Sequence, residues 1–481
     1  AGVSPSEAEA AAALLSGGTW QQDGATAAAP VTTSTATSTS AAATTTTERT
    51  TTSLIASSAA LAPSSGPSSL VVGTAATAAT GTSAGTDSAA ALPWAASGRK
   101  HVIKGVGYSP VPLKVPDRLP HDDFMSLGAA SLWASAGCRR DLRMMKAMGA
   151  NAVRLYGNDV ELDHRAFLAE ARQEGLEVIA GLSDYPYIQM RGSCRSTNFD
   201  CYVQIRQQYT DNLKRGFLTG DKTYHPALRM IILVNEPDLK FDLQLGPKLF
   251  CKAVISAFDG ALDAELDAGV LGERPAFTAT FSFGVCSTCE RFSDLPGLGQ
   301  MDELRQCMRH PELVGYQPRN DLWAAYKTRF VNGVNTANPA ADFLRLFMGA
   351  YTAAFPGMPL FLGEYHSPNG DQTGQLAKIL EVANNVSSPL LGISFFEYQV
   401  RYDKGGAEKN FGIFGLGDRS LGKVDLAEKS FPAWCLTPQA DRISGEILAE
   451  AVWEAYGGPG LDYTRLCSGT CPGEDAPRLA G

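Results

Sequence analysis

Two glutamates, each closing an apolar run, are the residues of this chain best placed to do chemistry. Glu236 follows Met230-Ile231-Ile232-Leu233-Val234-Asn235 and precedes Pro237, while Glu364 follows Pro359-Leu360-Phe361-Leu362-Gly363 and leads into Tyr365-His366. An unbroken apolar run reads as a strand buried on both faces, as in a parallel sheet covered by helices. A carboxylate directly after such a strand stands where α/β proteins expose their reactive groups, at the C-terminal strand ends. Two carboxyls there can cleave a glycosidic bond with retention: one protonates the leaving oxygen, and the other, roughly 5 Å away, traps the sugar. Asn235 is placed to hydrogen-bond the sugar 2-hydroxyl beside the nucleophile, a contact that strengthens in the transition state.

The elements that must position these residues follow from hydrophobic rhythm. Strands are expected at 102–108, 150–156, 176–182, 230–234, 276–283, 328–334, 359–364 and 390–398, with helices within 138–148, 163–174, 201–217, 248–268, 341–354 and 374–384. Eight strands alternating with helices predict an α/β fold, a (β/α)8 TIM barrel. A doubly wound open sheet is the competing topology, but no Gly-rich phosphate fingerprint follows the first strand. In the barrel reading Glu236 ends the fourth strand and Glu364 the seventh, across the mouth from each other.

Three regions are expected: a low-complexity, largely disordered segment over 1–98, the barrel over 99–417, and a Cys-containing extension over 418–481 packed on the barrel. The run Val31–Ser53 is almost entirely Ala, Ser and Thr, with too few large apolar residues to offset the entropy of ordering. It reads equally as an O-glycosylated stalk or a plain linker. Net charge is −9 with no concentrated Lys/Arg run, which argues against nucleic acid and anionic membrane surfaces and fits a neutral polysaccharide.

The ten cysteines fit disulfides in an extracytoplasmic protein, secreted or at the cell surface. Cys286-Ser-Thr-Cys289 alone would also fit zinc or redox chemistry, but it lacks a partner pair at finger spacing. No metal and no cofactor are expected, and the chain is read as a monomer. Asn385-Val386-Ser387 is an N-glycosylation sequon. No stretch of eighteen apolar residues predicts a membrane span. Ala10–Leu15 is too short and lacks the basic flank of a signal peptide, so any secretory signal is expected to have been removed or never to have existed.

Taken in order, a series of short motifs resembles the retaining (β/α)8 glycoside hydrolases of clan A. Within it the closest likeness is to the fungal β-1,3-glucanosyltransferases, glycoside hydrolase family seventy-two. The matching residues are Lys104-Gly105-Val106-Gly107-Tyr108, Cys138-Arg139-Arg140-Asp141, Asn151-Ala152-Val153-Arg154-Leu155-Tyr156, His164, Asn235-Glu236, Gly363-Glu364-Tyr365, Phe396-Glu397-Tyr398 and Asn410-Phe411-Gly412. The resemblance implies Glu236 as acid/base and Glu364 as nucleophile. Asn235, Tyr156, Asp184, Tyr398 and Tyr108 are implied as sugar contacts, with Arg154 orienting Glu364 and Glu397 as a supporting carboxylate, either in the active site or a structural acceptor. Among Tyr185, Tyr187, Phe283, Tyr365, His366 and Tyr402, about half are expected to stack on sugar faces.

The chain departs from the family pattern at Pro237, where valine is usual, and at Ser109, where glutamine is usual. It also offers no tyrosine in Val331-Asn332-Gly333-Val334-Asn335-Thr336. The expected activity is double displacement on β-glucan, β-1,3-linked by preference, with transfer to sugar or to water. A β-mannanase- or cellulase-like endo-hydrolase and a catalytically silent polysaccharide-binding barrel are the alternatives.

Overall fold

The computed structural model describes residues 101–119, 122–241, 246–368, 370–463 and 466–467. The low-complexity segment expected over 1–98 lies outside them. Eight parallel strands form a closed barrel in chain order: β1 (Ile103–Gly107), β2 (Ala152–Arg154), β3 (Glu177–Gly181), β4 (Leu228–Asn235), β5 (Ala276–Phe281), β6 (Phe330–Thr336), β7 (Leu360–Tyr365) and β8 (Leu390–Phe395). Pairing of Ile103 with Gly392 and of Val106 with Phe395 closes the ring between β1 and β8. Helices cover the outside, including Asp141–Ala147, Arg165–Gln173, Tyr202–Asn212, Pro247–Ala268 and Gln372–Asn384.

The period-2 alternation of a strand sorts side chains into two cores. Ile103, Ala152, Ile179, Ile232, Phe361 and Leu391 fill the barrel interior as one buried cluster. Val106, Val153, Ala180, Leu233, Phe277 and Val334 belong to the larger cluster between barrel and helices. Each Val, Leu, Ile or Phe among them contributes roughly 1.5–3 kcal/mol by leaving water. The alternation also decides the fate of the polar residues above the interior plug. Arg154 and Tyr156 follow Ala152 at even spacing and turn inward, whereas Tyr108 takes the outward parity of Val106.

Two irregularities re-aim side chains at the mouth. In β4 the register slips between Ile232 and Val234, and both Leu233 and Val234 join the outer core. In β7 it slips so that Val334 pairs with Leu362 but Asn335 with Glu364. Each strand thereby carries one extra residue, a β-bulge that inverts the alternation beyond it. Without the bulge Asn235 would share the outward parity of Leu233. With it, Asn235 and Glu364 both face the barrel axis.

Beyond the barrel, β9 (Phe414–Leu426) and β10 (Lys429–Pro438) form an antiparallel hairpin. The boundary expected at residue 417 falls inside β9. The hairpin docks on the loop after β1, where Trp434 Nε1 donates to the Pro112 carbonyl (3.0 Å) and Lys114 Nζ lies 3.8 Å from the Trp434 ring centre. A final helix, Leu448–Tyr456, is tied to β1 by the Tyr456 hydroxyl on the Gly105 carbonyl (2.8 Å). Disulfides join Cys194 to Cys201, Cys286 to Cys289 and Cys435 to Cys467, and Cys138 is also disulfide-bonded. The CxxC pair is therefore a local staple. Among the described residues no group of His, Cys, Asp and Glu could hold a metal ion, and no helix is long and apolar enough to cross a membrane.

Candidate active site

The inward residues at the C-terminal ends of β2, β4, β5, β6 and β7 meet in one polar layer. At its centre lies the Asn235 Oδ1 atom, which accepts from Arg154 Nη2 (2.6 Å), Thr280 Oγ1 (2.6 Å) and Asn335 Nδ2 (3.0 Å). Three donors on one oxygen fix the orientation of the amide. Its NH2 group has no partner among the described residues. Arg154 is fully buried; Nη1 donates to the Gly363 carbonyl (2.6 Å) and lies 3.0 Å from Glu364 Oε1. One guanidinium thus links the ends of β4 and β7, and its planar fork suits that bridge better than an ammonium would.

Glycine makes two of these contacts possible. A Cβ on Gly107 would stand 2.9 Å from the Tyr156 hydroxyl, and one on Gly363 would stand 2.7 Å from Asn335 Oδ1. Tyr156 therefore lies over β1, with its ring face 4.6 Å from the Arg154 guanidinium carbon and its hydroxyl beside Glu364. Burial, opposed by Arg154 and reinforced by Glu364, pushes the phenol well above its ordinary range, so it stays a neutral donor.

Glu236 departs from strand geometry. Its backbone is left-handed (φ 50°, ψ 56°), and its N–H donates to the Thr280 carbonyl at 2.7 Å. A non-glycine residue in this region costs about 1–3 kcal/mol, and such strain concentrates at functional sites. The turn breaks the alternation, so that Asn235 and Glu236, neighbours in sequence, both present side chains to the mouth. Asn335 Nδ2 reaches Glu236 Oε1 at 3.2 Å. Burial, then the Glu364 and Asp238 charges, push the Glu236 carboxyl up to about 8, against the Asn335 hydrogen bond and Lys240. Glu364 sits instead against Arg154 with 7% of its surface exposed. One glutamate is held as an acid and the other beside a cation, which is the asymmetry that acid and nucleophile roles require.

A third carboxyl faces the same space. Glu397 follows β8, its Cβ 3.7 Å from where a Gly107 Cβ would stand. It is 1% exposed, and neither carboxylate oxygen has a hydrogen-bond partner.

Of the residues singled out in the sequence, Arg154, Tyr156, Asn235, Glu236, Glu364 and Glu397 come together here. Asp184 lies on the rim after β3, paired with Lys240 at 2.6 Å. Tyr108 and Tyr398 are not brought to the cleft by their hydroxyls: each donates to Asp141 at 2.9 Å on the outer side, and both are buried. For Tyr108 the outward parity that it shares with Val106 is the reason. Of the aromatic candidates, Tyr187, Tyr365 and His366 are buried, whereas Tyr185 is 57% exposed beside Asp184.

Sequence reasoning missed Asn335 and Thr280. Asn335 stands in the β6 segment searched for a tyrosine, and its signal was an asparagine at a strand end. Thr280 is a β-branched residue in a strand, which carries no signal by itself.

No family profile and no curated protein matches the chain. Among solved structures, the chain is similar to ScGas2 in complex with compound 8, at 14% identity over 80% of this chain and 70% of that one, with a TM-score of 0.45. It is also similar to Gas2 with compound 10, at 14% identity over 80% and 72%, TM-score 0.47. A third is Saccharomyces cerevisiae Gas2p in complex with laminaritriose and laminaritetraose, at 14% identity over 80% and 71%, TM-score 0.43. The closed barrel with paired carboxyls at its C-terminal mouth is defined by this chain's own geometry, independently of those likenesses.

Proposed function

We propose that this chain is a retaining glycosidase or transglycosidase that acts on β-glucan by double displacement. The observation that carries the proposal is the pair Glu236 and Glu364, on strands across the barrel mouth, joined through Arg154, Asn235 and Asn335, with Arg154 against Glu364 alone. In the first step Glu236 donates its proton to the glycosidic oxygen while Glu364 attacks the anomeric carbon, forming a glycosyl ester and releasing the leaving sugar. In the second, Glu236 takes a proton from an incoming hydroxyl, which displaces Glu364.

Arg154 pairs with the Glu364 carboxylate and aims it. The unpartnered amide NH2 of Asn235 donates to the sugar 2-hydroxyl, and the neutral Tyr156 phenol steadies the nucleophile. Asp184 contributes from the rim with exposed Tyr185 beside it. Tyr108 and Tyr398 act from behind through Asp141, by fixing the strand ends that carry the site. The preference for β-1,3-linked substrate rests on the motif series from Lys104 to Gly412. The disulfides suit an oxidising compartment, so secretion or a place at the cell surface is part of the same reading.

A second reading has one observation in its favour. Pro237 sets the backbone after Glu236, and Asn-Glu-Pro is common among endo-hydrolases of the same clan, which would make the acceptor water and the substrate a mannan or cellulose. Incubation with laminari-oligosaccharides, with products resolved by size, separates the cases. Products longer than the substrate are expected if the acceptor is sugar, and only shorter ones if it is water. No product from laminarin, mannan or cellulose oligosaccharides would overturn the enzymatic reading in favour of a silent binder.

A further inference from the structure

We propose that Glu397 is a substrate-contacting carboxyl, hydrogen-bonded to a ring hydroxyl of the sugar held between Glu236 and Glu364. This rests on the glycosidase reading and deepens it by adding a third carboxyl to the sugar site. The geometry makes the assignment. A buried carboxyl in a folded protein is ordinarily saturated by donors, and leaving one unpaired costs free energy on the scale of its desolvation. Both Glu397 oxygens are buried and unpartnered.

The cations around it are committed elsewhere. Arg401 forks onto Asp403 (2.8 and 2.7 Å) and donates to Ser109 Oγ (2.9 Å), while Lys404 pairs with Glu408 at 3.0 Å. The groups that bear on Glu397 are Arg401, Lys404, Glu408 and Glu364, with Tyr156 beside it. None of them donates to it. Its neighbours on the remaining side are Tyr156 and Glu364 of the polar layer.

The protonation state fits the ligand. Burial, opposed by Arg401 and Lys404 and reinforced by Glu408 and Glu364, pushes the Glu397 carboxyl up to about 8. At neutral pH it therefore offers an O–H donor and a carbonyl acceptor on one planar group. A sugar hydroxyl is likewise donor and acceptor, so one such group satisfies both partners. A structural acceptor would already have its donors in the unliganded protein, as Asp141 does.

The test is binding of laminaripentaose by isothermal titration, in the full chain carrying Glu236→Gln so that the ligand is not consumed. Adding Glu397→Ala should weaken binding about ten- to a hundredfold, the usual scale for losing a hydrogen-bond partner buried against ligand. Adding Glu397→Gln should keep affinity within about threefold, because the amide also offers a donor and an acceptor. In the unliganded protein Glu397→Gln should not lower the thermal midpoint, since the shape is kept and no protein hydrogen bond is lost. Unchanged affinity in the Ala variant, or a lowered midpoint in the Gln variant, would overturn the assignment of Glu397 and leave the glycosidase reading standing. Absence of binding by the Glu236→Gln protein to laminari-, manno- and cello-oligosaccharides would overturn the glycosidase reading and this proposal with it.

Discussion

Two buried carboxylate clusters lie on opposite sides of the same strand ends, and they are built to opposite rules. On the outer side, Asp141 accepts from Arg139 Nε (3.1 Å) and Nη2 (2.8 Å), from Tyr108 (2.9 Å) and from Tyr398 (2.9 Å). Arg139 reaches on to Gln399 at 2.8 Å, so every member has a partner. On the inner side, the Glu397 carboxyl has no hydrogen bond, the Tyr156 hydroxyl has only Glu364 beside it, and no hydrogen bond engages the Asn235 NH2 among the described residues. Tyr398 and Glu397 are adjacent in sequence, yet one goes to each cluster. Saturation marks the outer cluster as structural, and the unmet hydrogen-bonding capacity of the inner one is what the proposed sugar site rests on.

The comparison is broken most severely by removing Asp141. Asp141→Ala leaves Arg139 buried without its partner, and chemical denaturation should show a loss of about 3–5 kcal/mol. On the inner side the large effect is kinetic. Glu236→Gln and Glu364→Gln should each lower turnover of laminari-oligosaccharides by at least about a hundredfold, and Glu236→Gln should do so with little change in stability. Stability loss at Glu236 comparable to that at Asp141 would erase the distinction.

A smaller effect is expected from Arg154→Lys, which keeps the charge but cannot bridge Gly363, Glu364 and Asn235 together. kcat should fall roughly ten- to a hundredfold with the fold retained. The smallest is Tyr398→Phe, which removes one of four bonds to Asp141. It should cost about 1 kcal/mol in stability and leave kcat within about threefold.

Acidity sharpens the same contrast. Glu236 and Glu397 bind their protons more tightly in the fold than in the unfolded chain, since both carboxyls are pushed up to about 8. The stability tied to each is fully present below its unfolded value and is lost as pH rises through about 8. A glutamine at 397 is neutral throughout, so the thermal midpoint of Glu397→Gln should gain on the wild type as pH rises from about 5 to about 9. The kcat/KM profile should fall on its alkaline side near pH 8 as the Glu236 acid is lost. That limb should survive in Glu397→Gln and vanish with activity in Glu236→Gln.

The eight strands and most helices were legible in the sequence because apolar runs bounded by glycines carry a strong period. The two glutamates were legible because a carboxylate after such a run is out of place in a core. The fates of Tyr108 and Tyr398 were not, because facing is set by parity and by where a bulge interrupts it, and a continuous run such as Met230–Val234 hides a bulge. The β9–β10 hairpin was missed as well. Its strands are only partly buried, and its turn at Ala427 and Glu428 uses two positive-φ residues that are not glycine. The bond between Asn335 and Asn235 joins strands far apart in sequence, so only the closed ring shows it.

The central claim is that Glu364 attacks sugar while Glu236 supplies the proton. It is tested most directly by trapping the intermediate with a 2-deoxy-2-fluoro-β-laminaribiosyl fluoride, followed by intact-mass measurement and peptide mapping. A single glycosyl adduct is expected, carried by the peptide containing Glu364 and absent in Glu364→Gln. An adduct on any other residue, or turnover of the probe with no adduct at any time, would contradict the account.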